Sequence, residues 1–155
     1  MRAKVAVVKL IQPVCLLAYC LLVFGVSGPL PVVAADEQIK HKVVYQVSDL
    51  EKVGFALANM RNHINGVGGP ENVELVLVVN GPGLKGFYDA AASDNIRRAA
   101  AALQRDGVQF NACGNTMRFQ NIETDELIPG FTRVDEGGVV KIAELQAAGY
   151  LYIRP

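Results

Sequence analysis

The chain has 155 residues, three of them cysteines, and its 15 Lys and Arg balance 15 Asp and Glu. It contains no basic block, so it lacks the electrostatic footprint of a nucleic-acid binder. How much of it forms the working protein depends on the N-terminus.

The opening MRAKVAVVK carries Arg2, Lys4 and Lys9 and no acidic residue, and an apolar stretch centred on VCLLAYCLLVFGV leads to PLPVVAADEQ. A basic start, an apolar middle and small residues at the end are the order of a secretory signal. Val33 and Ala35 place the cut after Ala35. The apolar middle, about a dozen residues between Pro13 and Gly28-Pro29, is short of the roughly 20 that a membrane span requires. An uncleaved anchor is the alternative, while a lipoprotein is disfavoured by Tyr19 in front of Cys20. Residues 1–35 are therefore expected to be a cleavable signal. The product, 36–155, is expected in the periplasm and free of the membrane. Cys15 and Cys20 leave with the signal, and without Arg2, Lys4 and Lys9 the basic residues fall to 12 against 15 acidic, a net charge of −3. The remaining 120 residues suffice for one domain with a single core. Small exported proteins often rely on disulfides, but Cys113, alone in 36–155, can form none within the chain.

Strand-like and helix-like segments then alternate. HKVVYQVS is rich in Val and Tyr, and Ser48 with Glu51 three residues on reads as a reciprocal capping box. Val53, Leu57, Met60 and Ile64 share one helical face, and INGVGGPEN ends the helix. VELVLVVN is nearly all apolar, as a strand covered on both sides is, and GPGLKG stops it. Ser93 caps a second helix in which Ile96, Ala100 and Leu103 align, with Gly107 just past its end. VQFNAC is a third strand running directly into GNTMRFQN, and IETDELIPG reads as short helical turns. FTRVDEG, GVVKIAELQAAG and YLYIRP predict a strand, a helix and a last strand, with Val140, Ala143 or Glu144, and Ala147 on the buried face of that helix. Alternation with short links predicts a three-layer α/β/α domain around a largely parallel five-stranded sheet. Strand order is not contained in the periodicity.

Cys113 ends its strand, and reacting groups gather at the carboxyl ends of open parallel sheets. The following GNTMRFQ would begin a helix whose free N–H groups favour the thiolate. Against this stands a packing role, since free cysteine is among the most buried residue types; polar Asn111, Asn115 and Thr116 are poor company for that. The glycine-rich NGPGLKG has neither the spacing of a phosphate loop nor that of a dinucleotide fingerprint, though it could wall a pocket beside Cys113, with Lys85 near. His41 and His63 are far from the cysteine in sequence, and no metal-ligand spacing is present. Phe87-Tyr88 suits an interface anchor or the core equally.

VVYQVSD, VELVLVVNGPGLKGF, GVQFNACGNTM and GGVVKIAELQAAGYLYIRP, in that order, resemble an exported branch of the DsrE/DsrF family, over about residues 41–155. The resemblance implies a TusD-like sulfur-relay fold, usually a homo-oligomer of three or six subunits. It also implies a sulfurtransferase-like carrier chemistry in which a cysteine at the end of the third strand accepts sulfane sulfur as a persulfide, without a cofactor, and passes it to a partner protein. Cys113 holds that position, and Gly114, Asn115, Thr116, Asn80 and Gly81 are expected in its pocket. The alternative is a non-catalytic small-ligand-binding or assembly module of the same fold. Export separates this chain from the cytoplasmic relay partners.

Overall fold

The structure is a computed structural model that describes residues 40–155. The expected signal segment, 1–35, lies outside the described residues. Five strands, β1 (His41–Val47), β2 (Val73–Val79), β3 (Gln109–Cys113), β4 (Phe131–Val134) and β5 (Leu151–Ile153), form one sheet in the order β4-β3-β2-β1-β5. All neighbouring pairs are parallel. The helices are α1 (Val53–Gly66), α2 (Asp94–Arg105), α3 (Gly114–Gln120) and α4 (Gly138–Ala147), joined by short 3-10 turns.

Alternation along the strands sorts the side chains into two cores. Val43, Tyr45, Val47, Leu75, Leu77, Val79, Phe110 and Phe131 pack with Leu57 and Met60 of α1, Ala100 and Leu103 of α2 and Met117 of α3. Val44, Val76 and Val78 meet Ile142 and Leu145 of α4 on the opposite face, with Tyr150 packed against them. The domain is thus three-layered, with unequal layers, and β2 is apolar apart from Glu74 because both of its faces are covered.

Connections explain the shape. From β1 to β4 the chain steps in one direction across the sheet, and the helices of these steps lie in the larger core. The return from β4 to the far edge at β5 reverses direction, and a right-handed crossover that reverses direction must pass over the other face. The segments leaving β3 and β4 therefore diverge to opposite sides. A crevice at such a divergence is where open α/β sheets bind ligands.

Two local expectations differ from the structure. Ser48 forms no capping box with Glu51: the first turn is a 3-10 helix, Leu50–Lys52, capped at Asp49 without a side-chain bond. The Ser48 hydroxyl instead accepts from Arg154 Nη2 at 2.8 Å, tying the turn to the end of β5. A reciprocal box does form elsewhere, between Glu123 and Glu126. On α4 the buried positions are Gly138, Ile142 and Leu145, while Val140 is 44 % exposed. The close approach of Gly138 to β2 and β3 sets the rotation of that helix, and positions i, i+4 and i+7 follow it inward. Of the two places open to Phe87, interface or core, the structure gives the core: it is fully buried, its ring edge-on to Phe131 at 5.0 Å and to Phe110 at 6.3 Å between centroids. Ser93 does cap α2, accepting from Ile96 N–H at 3.4 Å.

The aromatic trio should dominate stability. Phe110→Ala is expected to lower the unfolding free energy by about 3–5 kcal/mol in urea titration.

Candidate functional site

Cys113 is the last residue of β3 and is 6 % exposed. It precedes α3 directly, and its extended backbone (φ −64°, ψ 114°) turns the chain from strand to helix. From the other face, α4 begins at Gly138. A Cβ built there would lie 3.1 Å from Val78 Cγ1, 3.2 Å from Cys113 Cβ and 3.6 Å from Asn80 Cβ. A side chain there would press on these neighbours, so glycine suits the close approach of the α4 backbone. Gly114 has a matching function on β4, since a Cβ on it would sit 2.7 Å from the Val134 carbonyl oxygen. Two helix starts from opposite layers thereby converge on one sulfur, in the crevice that the reversal of the chain opens.

Burial by itself pushes the Cys113 thiol up, but the Gly138 N–H, the Thr116 hydroxyl and the N–H groups of Thr116 and Asn115 outweigh it, and the thiol lies below its ordinary value. Cys113 makes no cap hydrogen bond of ordinary geometry, so these donors act on the sulfur mainly as positive charge facing a developing anion. Thr116 is held for this task, because its oxygen accepts from the Gly81 N–H at 2.9 Å. Gln120 Nε2 donates to the Gly81 carbonyl at 3.0 Å, and Tyr88 donates its hydroxyl to Gln120 Oε1. Gly81 has φ +56°, a left-handed turn open to glycine.

Asn115 and Thr116, which act on the sulfur, also line a cavity of about 310 Å³ with Gly81, Pro82, Lys85, Phe119 and Gln120; Cys113 itself is not part of its lining. Phe119 stands at its rim, 89 % exposed. An apolar groove of similar size between α1 and α2, about 300 Å³, has Arg61 but no nucleophile among its lining residues.

The structure brings together Cys113, Asn115, Thr116 and Gly81, and gives two of the other candidate residues, Gly114 and Asn80, different surroundings. Gly114 supplies close packing and is not among the donors acting on the sulfur. Asn80 lies under Gly138, its Oδ1 accepting from Gln46 Nε2 at 3.1 Å. Gly138 was not anticipated; the signal available was the Gly137-Gly138 pair at the start of a helix. Phe119 and Gln120 carried no signal beyond belonging to α3. The NGPGLKG segment does wall the cavity. His63 is paired with Tyr45 through a 3.0 Å contact between Nδ1 and the phenol, and exposed His41 begins β1, at the sheet end opposite Cys113. Among the described residues no group of three or more His, Cys, Asp or Glu side chains is placed to hold a metal ion.

Thr116→Val removes one donor without added bulk. Its alkylation rate, followed against pH by intact mass, should show a midpoint at higher pH than wild type, and slower reaction at neutral pH. Stability obeys the same linkage. A thiol depressed in the folded state adds stability as pH rises through its titration, present in full above the unfolded value and lost as pH falls through the folded one. That gain should be smaller in Thr116→Val.

A search of curated proteins gives no match. Among solved structures, a protein of unknown function from Methanobacterium thermoautotrophicum, MTH1491, superposes with a TM-score of 0.66 at 26 % identity, over 74 % of this chain and 99 % of that one. The ychN protein of E. coli superposes with a TM-score of 0.53 at 15 % identity, over 76 % of this chain and 100 % of that one, a likeness of fold. The DsrE/DsrF-like family matches residues 41–155, which is the whole sheet with all of its crossovers, and the chain belongs to that family.

Proposed function

We propose that the protein is an exported sulfur carrier that accepts sulfane sulfur as a persulfide on Cys113, in the manner of the sulfur relay with which its family is associated. The observation that supports this most is the convergence of Gly138, Thr116 and Asn115 on a single sulfur whose thiol they hold below its ordinary value. A packed structural cysteine has no use for such surroundings. The thiolate is the attacking species in sulfur exchange. With a donor R–S–SH, the Cys113 thiolate bonds to the outer sulfur, the donor's S–S bond breaks, and R–S⁻ departs with the electron pair. The proton on the transferred sulfur is then free to leave. No electrons are gained or lost overall, so the step requires no redox cofactor.

The adjoining cavity offers room for the donor, and exposed Phe119 offers a partner protein an apolar hold. Assembly into a homo-oligomer of three or six subunits belongs to the same proposal, with exposed Val139 and Val140 on α4 as the apolar surface available to it. So does export by residues 1–35 to the periplasm.

Intact-mass spectrometry tests the central claim. After incubation with inorganic polysulfide, wild type is expected to gain one sulfur atom that a thiol reductant removes, and Cys113→Ser to gain none. Uptake by Cys113→Ser would defeat the proposal. A wild-type thiol that takes no sulfur and resists alkylation until unfolding would assign Cys113 to packing, the role that its small exposure alone would favour.

A further inference from the structure

Asn111 is the one buried residue of polar type among the described residues, 5 % exposed, and its Nδ2 has no acceptor. Buried amide donors are almost always paired, so an unpaired one calls for a cause. Its position suggests one. Asn111 and Cys113 are separated by one residue on β3 and so share a sheet face, about 6.6 Å apart along the strand. Asn111 lies in register with Val78, which packs against α4, and Gly138 covers Val78 and Cys113 together. The amide is therefore buried on the α4 face of the sheet, one pleat before the thiol. Yet it is not among the donors that act on the resting sulfur, which are Gly138, Thr116 and Asn115.

Sulfur uptake moves the charge. When the Cys113 thiolate takes the outer sulfur of R–S–SH and the new perthiol loses its proton, the negative charge sits on the added atom, about 2.05 Å beyond the original sulfur. Donors arranged around the inner atom then no longer face the full charge. Resting on the sulfur acceptance proposed above, we propose that the Asn111 amide is the donor to the transferred sulfur, held without an acceptor in the empty protein and satisfied when the persulfide forms. It distinguishes the loaded from the empty state, and so favours retention of sulfur rather than ionisation of the thiol.

Asn111→Leu and Asn111→Val separate the two effects, and either one serves if the other folds poorly. Removing an unpaired buried donor in favour of an apolar side chain should leave stability unchanged or higher. Purified wild type and variants are equilibrated with mixtures of glutathione persulfide and glutathione, and the fraction of Cys113 carrying an extra sulfur is read by intact mass. The equilibrium constant for loading is expected to fall about tenfold or more in the variants, the effect of one hydrogen bond to a charged atom. The pH midpoint of alkylation should remain that of wild type. Equal loading of variant and wild type would overturn the proposal, and so would a loss of loading matched by a shifted alkylation midpoint, since Asn111 would then act on the resting thiol. A wild type that takes no sulfur would mark the failure of sulfur acceptance itself, and this assignment would fall with it.

Discussion

The sheet reverses its direction of travel once, between β4 and β5, and the site depends on that reversal. Had the fifth strand been added next to β4, its crossover would have stayed on the face of α1 and α2, and no helix would start above β3 from the other side. Because right-handed crossovers forbid that alternative for a strand placed beyond β1, α4 has to cross the opposite face. Its first residue then arrives above the end of β3 at the point where α3 departs. Cys113 receives main-chain N–H groups from two layers at once, and no charged side chain acts on it. Chain topology accounts for the acidity of the thiol.

The donors are mostly main-chain groups, which explains which parts of the site could be recognised in the sequence and which could not. Cys113, Asn115 and Thr116 were legible because a strand-like run passes directly into a helix-like one, so the helix start at the cysteine is a local matter. Gly138 lies 25 residues further on, and its arrival depends on strand order, which periodicity does not encode. The same gap accounts for the misassigned face of α4. A helix resting on three valines presents a narrow apolar stripe, and its exposed side, with Val139 and Val140, is hardly less apolar than its buried one. Where the apolar stripe was broad, as on α1, or a polar cap stood at the helix start, as at Ser93, the reading agreed with the structure. Ser48 shows the limit of caps: the residue types were suitable, but Arg154 from the last strand takes the hydroxyl.

The surroundings of the sulfur combine two opposing requirements. Enclosure between layers raises the cost of charge, and fixed dipoles offset that cost without admitting water. Mobile cations would serve less well, because an exposed lysine or arginine is screened by solvent and salt. The network behind Thr116, running through Gly81 and Gln120 to Tyr88, keeps the one side-chain donor oriented, so that little reorganisation remains when charge develops.

The unequal thickness of the two covering layers has a further consequence. Ile142 and Leu145 are the large side chains that fasten α4 over the sheet, and the helix leads into a three-residue edge strand, so the segment from Gly138 onward is held by a much smaller apolar cluster than the helices of the other face. Local opening in proteins follows such differences in anchorage. If that segment lifts, the thiol becomes open to solvent and at the same moment loses the Gly138 N–H that helps to ionise it. The closed form thus holds a sulfur that is charged but shielded, and the open form one that is accessible but more readily protonated. Reactivity toward large and small reagents would then be governed by different populations of the same molecule.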